Sequence, residues 1–222
     1  MRLRAPTTAA PGGGVEPQLH LDFLSSDELA GQGVSLFPAA TPPTVNNGLQ
    51  LNGTTQYARV IQEGWYSQAF RGGVSNELTV YHEFFPDFNY NEATVARPFL
   101  DCPVGNRYLF YKSPTGPGFS LQFYAGAFTF VGGVAAAAYG ALWRVGQKNR
   151  MAAALKSGAN VFYLNGSQIG TSVTAWVRGA PTGLYIGSTN TPDAWFAGTI
   201  KDFRIYNRQL TAAEAIELTT VT

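Results

Sequence analysis

Short strand-like runs of apolar and polar residues recur along this chain, and the clearest alternation lies near its end. In GTIKDFRIYNRQLTAAEAIEL, Gly198 to Leu218, residues Ile200, Asp202, Arg204 and Tyr206 alternate with Lys201, Phe203 and Ile205. That period of two predicts a strand with the first set on one face and the second on the other. Asn207, Arg208 and Gln209 end the pattern. Thr211 then precedes Glu214 by the spacing of a capping box, which predicts a short helix favoured by Ala212, Ala213 and Ala215. Upstream, LHLDF alternates from Leu19, and GLQLNGTTQYARV, ELTVYHEFF, RYLFYKS, FSLQFYAGAFTFV, ALWRVGQ, MAAALKS, NVFYLNGSQIGTSV and GLYIGS read as further strands. Asn52-Gly53 and Asn165-Gly166 are turn signals, and the second separates two β-like runs by two residues that both tolerate positive φ. Ten or more short antiparallel strands and one late helix predict an all-β fold, a two-sheet antiparallel sandwich closed by a short C-terminal helix.

Composition supports this reading and divides the chain. The 25 glycines and 13 prolines supply turns, and 14% aromatic residues suit strands. Residues 1–17 are rich in Ala, Pro, Thr and Gly and read as an extended N-terminal arm, with residues 18–222 as one domain. Fifteen basic and 14 acidic residues give a net charge of +1 with no basic block, so nucleic acid is not an expected partner. MRLRAPTTAAPGGG carries two arginines but no apolar run of a secretory signal, and no span of about 18 apolar residues predicts membrane insertion. Cys102 stands alone and cannot form an internal disulfide.

Several segments, in this order, resemble the laminin-G-like branch of the concanavalin A-like lectin/glucanase jelly rolls. GLQLNGTTQYARV is similar to the family's early strand pair, ALWRVGQ to the segment that places Trp143 in the core, and VFYLNGSQIG to its Tyr-x-Asn-Gly hairpin. GLYIGSTNTPDAWFAGTIKDFRIYNRQLTAAEAIEL resembles the closing block. The resemblance spans about Leu19 to Leu218 and implies a jelly-roll sandwich. Two segments depart from it. YHEFF, Tyr81 to Phe85, stands where a tryptophan-bearing strand is usual, and the alanines of GGVAAAAYG, residues 135–138, suggest a close approach to a neighbouring segment.

Glucanase relatives of this fold imply paired carboxylates on one strand in a Glu-x-Asp-x-x-Glu pattern, which is missing here. Hydrolysis with retention needs carboxyls about 5 to 5.5 Å apart. The nearest approach is Glu83 and Asp87, four residues apart across Pro86, expected as solvent-facing or turn carboxylates. His20 and His82 lie in separate strands without catalytic or ligand spacing and are expected as polar strand positions. No enzymatic activity and no obligate cofactor are therefore expected. The family resemblance implies calcium as a candidate ligand on rim loops, and STNTPDAW offers Asn190 and Asp193 as oxygen donors. Trp65, Tyr66, Trp176 and Trp195, with Asn190 and Asp193, are the candidate contacts to a sugar or a protein.

Two functions follow as expectations. The first is a non-catalytic structural component, a decoration or surface protein of a phage or virus particle. It would be present in many copies and bind neighbouring subunits through the arm and rim loops, at a virion surface or outside the cell. The alternative is a lectin-like adhesion module that binds a surface glycan. A glycoside hydrolase is disfavoured by the missing acid pair.

Overall fold

The alternating segments form fifteen strands in a computed structural model that describes residues 16–17, 19–24, 30, 33–60, 76–102, 108–114, 120–126, 128–179 and 181–222. In chain order the first eight are β1 (Leu19–Asp22), β2 (Val34–Phe37), β3 (Thr44–Val45), β4 (Leu49–Asn52), β5 (Tyr57–Val60), β6 (Glu77–Pro86), β7 (Arg97–Asp101) and β8 (Leu109–Lys112). They are followed by β9 (Leu121–Ala125), β10 (Thr129–Val134), the short helix α1 (Ala136–Tyr139), β11 (Asn149–Lys156), β12 (Asn160–Leu164) and β13 (Ser167–Ser172). β14 (Leu184–Ile186), β15 (Ala197–Tyr206) and helix α2 (Ala212–Thr219) complete the chain. The first sheet runs β13-β12-β11-β6-β15-β4-β3, with β1 also paired to β15, and the second runs β10-β9-β8-β7-β14-β5-β2. Every pairing is antiparallel. The two sheets stack as the expected all-β jelly-roll sandwich.

One buried core fills the space between them, because alternate residues of both sheets turn inward. Phe123 of the second sheet stacks on Phe162 of the first at 4.3 Å between ring centroids. Phe84, Phe99 and Phe196 pack edge to face or tilted nearby, and Trp143 joins them, its Nε1 donating to the Phe88 carbonyl at 3.0 Å. Gly132 is required on β10, since a Cβ there would stand 2.7 Å from the Phe162 ring. Ala136 of the alanine run is also buried in this core. Three of those alanines, 136–138, form most of α1.

The closing segment departs from strict alternation. Ile200 pairs with Phe84 of β6 but Asp202 pairs with the next residue, Glu83, so Lys201 is an extra residue in β15. This bulge changes the strand's parity. Ile200 therefore enters the same core as Phe203 and Ile205, while Asp202, Arg204 and Tyr206 do not. The segment after β15 follows the expectation: Thr211 accepts from the Glu214 amide at 3.4 Å, and Glu214 accepts from the Thr211 amide at 2.8 Å. Arg208 clamps the same carboxylate at 2.6 Å and, with the threonine bonds, holds it at about pKa 2.

Two further expectations are corrected. ALWRVGQ is a turn that delivers Trp143 into the core, not a strand. The turn expected at Asn52-Gly53 is present, and it links β4 and β5, which belong to different sheets. Asn52 Oδ1 accepts from the amides of Thr54, Thr55 and Gln56 and so turns the chain from one sheet to the other. His82 is not a surface position: its ring is fully buried, 5.0 Å from Phe203, and neither nitrogen has a hydrogen-bond partner. Burial, weakly opposed by Asp202, pulls its pKa down to about 3. Asn165-Gly166, by contrast, does join β12 to β13, with both residues at positive φ.

Candidate functional site

The two outward faces of the sandwich differ in what covers them. On the first sheet, Ala152 and Ala154 of β11 present only methyl groups, and α2 settles over them through Leu210 and Ala215, with Tyr81, Tyr163 and Tyr206 around it. Two carboxylates on that face are held by arginines. Asp202 is gripped by Arg204 at 2.5 Å and lies 3.1 Å from His20 Nε2, and Glu83 by Arg150 at 2.8 Å. Burial acts to raise the Asp202 pKa, but the neighbouring His20 and the hydrogen bonds from Arg204 hold it below the usual carboxylate range. The outward face of the second sheet has no such helix over it among the described residues.

Register shows what that second face carries. Phe110, Phe123 and Ile186 point into the core, so the alternating positions Tyr111 and Leu109, Tyr124 and Gln122, and Tyr185 point outward. Across the sheet, Phe130, Tyr124, Leu109, Asp101, Tyr185 and Arg59 follow one another strand by strand in one row. Tyr124 stacks on Phe128 at 4.6 Å and on Tyr111 at 6.3 Å. Tyr111 donates to Gln122 Oε1 at 2.6 Å, and Tyr124 lies 3.3 Å from the same oxygen.

A groove of about 320 Å³ opens over β7 and β8. Leu109, Tyr111 and Pro98 make its floor; Thr94, Val95 and Ala96 make one wall, and Thr189, Asp193 and Ala194 the other. Arg97 fixes both walls. Its guanidinium takes Glu92 through two 2.8 Å bonds on one side, and donates to the carbonyls of Trp195 at 3.0 Å and Gly53 at 3.2 Å on the other. The paired hydrogen bonds outweigh burial and lower the Glu92 pKa. Lys112 donates to the Glu92 carbonyl as well. An apolar and aromatic floor under hydroxyls and one carboxylate suits a ligand with apolar C–H faces and many hydroxyls.

The sequence-derived candidates distribute as follows. Asp193 lies in the groove wall, its Oδ1 2.5 Å from Thr189 Oγ1. Asn190 sits behind that wall, its amide donating to Asp101 Oδ2 at 2.9 Å. Trp195 is half-buried, bridges to Ser188 and braces the loop through its carbonyl without lining the groove. Trp176 was expected on a contact loop, but it is 3% exposed, packs against Tyr108 and donates to Asn160 Oδ1 at 3.0 Å. It presents no face to a ligand. Trp65, Tyr66 and residues 1–15 of the arm lie outside the described residues. Glu83 was expected to face solvent, yet it is 7% exposed and occupied by Arg150, while Asp87 is exposed just past the end of β6. As calcium donors Asn190 and Asp193 fit poorly, because their Oδ1 atoms already accept from Thr191 and Thr189. No group of three or more His, Cys, Asp or Glu is placed to hold a metal among the described residues.

Leu109, Tyr111 and Arg97, which build the groove, were not anticipated. The signal for Leu109 and Tyr111 lay in RYLFYKS, where apolar residues occupy both parities and therefore both faces of a strand; Arg97 lies outside that segment and carries no such mark.

The sandwich, its closing strand and capped helix, and the groove on an outward face define a lectin-like jelly roll. Residues 52–215 match the concanavalin A-like lectin/glucanases superfamily, in its laminin-G-like branch, and the chain belongs to that family. No curated protein matches the sequence at a significant level. Among solved structures, domain 4 of the extracellular GH43 arabinanase AbnA from Geobacillus stearothermophilus, in complex with arabinotriose, is similar at a TM-score of 0.65 and 18% identity, covering 92% of this chain and 98% of that one. The CBM40 domain of the Ruminococcus gnavus IT-sialidase, bound to α2,3-sialyllactose, gives 0.59 and 14%, covering 78% and 96%. The leech intramolecular trans-sialidase gives 0.59 and 16%, covering 80% of this chain but 27% of that one. At these identities the likeness shows the fold.

Proposed function

We propose that the protein is a non-catalytic carbohydrate-binding module whose groove over β7 and β8 takes a neutral sugar unit. The observation that carries this reading is the groove itself, with Leu109 and Tyr111 beneath Thr189 and Asp193. A pyranose or furanose ring laid on that floor buries its C–H face against Tyr111 and turns its hydroxyls toward the wall. Asp193 accepts hydrogen bonds from hydroxyls and repels an acidic sugar. Among the described residues it is the one carboxylate in the groove lining, where hydrolysis with an acid and a second carboxyl needs a pair. The sugar-bound modules among the structural neighbours favour this reading over a virus-particle component.

Isothermal titration with neutral oligosaccharides, including arabinotriose and lactose, tests it. Saturable binding that weakens about tenfold in Tyr111→Ala and in Asp193→Ala, with Tyr111→Phe retaining most of it, is the expected result. Failure of every neutral sugar to bind, or unchanged affinity in Tyr111→Ala, would overturn the reading.

A further inference from the structure

Arg59 stands apart from the other arginines of the strands and their flanks. Arg97, Arg150, Arg204 and Arg208 each hold a carboxylate at 2.5 to 2.8 Å. Arg59 forms no ion pair among the described residues, and its Nε is buried with no hydrogen-bond partner. Its guanidinium carbon lies 5.2 Å from the centroid of the Tyr185 ring, on the same outward face as the groove. Tyr57 is 5.8 Å from Tyr185 and stacks on Phe37 at 5.0 Å, so aromatic rings wall the cation. Burial and the neighbouring Tyr185 raise the Tyr57 pKa against the pull of Arg59, leaving a neutral hydroxyl beside the guanidinium. The nearest carboxylate in the row, Asp101, lies beyond Tyr185 and is itself fully buried, with Oδ2 accepting from Asn190.

A half-buried guanidinium with an unmatched N–H loses water without regaining a partner, and a planar oxyanion restores it. The fork of donors matches a carboxylate better than a single charge would. We propose that Arg59, with Tyr57 and Tyr185, forms a second subsite that takes the carboxylate of an acidic sugar. It is separated from the groove floor on β8 by three strand spacings, about 14 Å. This inference deepens the glycan-binding reading but depends on different residues and on charge rather than on the groove. Charge also gives the face a direction, with Asp193 refusing an acidic unit at one end and Arg59 accepting it at the other.

The test compares glucuronate with its uncharged methyl ester. By titration at low salt, the native protein should bind the acid about tenfold or more tightly than the ester. Arg59→Gln should bind the two equally, and Arg59→Lys should keep part of the preference. In the native protein, glucuronate should also shift the Arg59 Nε–H resonance and the ester should not, which reads the site even if a variant folds poorly. Equal affinity of the native protein for acid and ester, or a preference that survives in Arg59→Gln, overturns the proposal. The groove reading stands or falls separately, on neutral sugars and Tyr111→Ala.

Discussion

His82 shows how a residue that alternation places correctly in a strand can still be misjudged. Its period puts it in β6, but only the packing of Phe99 and Phe203 against it shows that its face is the dry one. Trp176 was misjudged for the same reason, since a loop residue's burial depends on what the distant Tyr108 and Asn160 do. The buried imidazole has a measurable consequence. In the unfolded chain it takes up a proton as pH falls below about 6.5. In the folded protein it stays neutral until about pH 3. Stability is therefore fully present above the unfolded value and falls as pH drops through that window, by up to about 1.4 kcal/mol per pH unit. Urea midpoints of the native protein and of His82→Leu, measured from pH 8 to pH 4, should diverge in that sense, with the variant losing less. Parallel curves would contradict it.

Elements were most legible where one local interaction defines them. Asn165-Gly166 and the Thr211/Glu214 box both appear in the structure as their spacing predicts, because a turn or a cap needs only neighbours in sequence. β15 was legible as a strand, but its faces were not. The extra residue at Lys201 answers to the register of β6 and leaves no mark in the alternation. The alanines of β11 carry a similar hidden instruction, since Ala152 and Ala154 are small so that α2 can lie flat upon them. Two substitutions separate cap from seat. Thr211→Ala should cost about 1 kcal/mol by loss of the cap. Ala154→Leu should cost about 1 to 3 kcal/mol by lifting the helix. Chemical denaturation monitored by circular dichroism reads both; a neutral Ala154→Leu would show that the helix is loosely seated.

At the scale of the molecule, the sequence conveyed a two-sheet sandwich but not which residues would be its inside. Strands such as LQFYA are apolar on both parities, so Phe123 and Tyr124 look alike until the second sheet is seen to put Phe123 on Phe162 and leave Tyr124 outside. The two kinds of aromatic should separate in one experiment. Phe162→Ala removes the contact between the sheets and should cost about 3 to 5 kcal/mol. Phe130→Ala acts on a side chain that is 47% exposed on the outward face and should change stability by less than about 0.5 kcal/mol. Equal losses, read from denaturant unfolding, would mean that the outward aromatics are structural and would weaken the case for a binding face.

The helix laid over the first sheet has a practical corollary. It finishes the back of the sandwich, while among the described residues no helix lies over the front. Glu217, exposed on that helix, therefore offers an attachment point on the far side of the molecule from the groove. A cysteine introduced there and coupled to a sensor surface would present the groove and Arg59 to the solution in a single orientation. A tether placed at Phe130 would bury them.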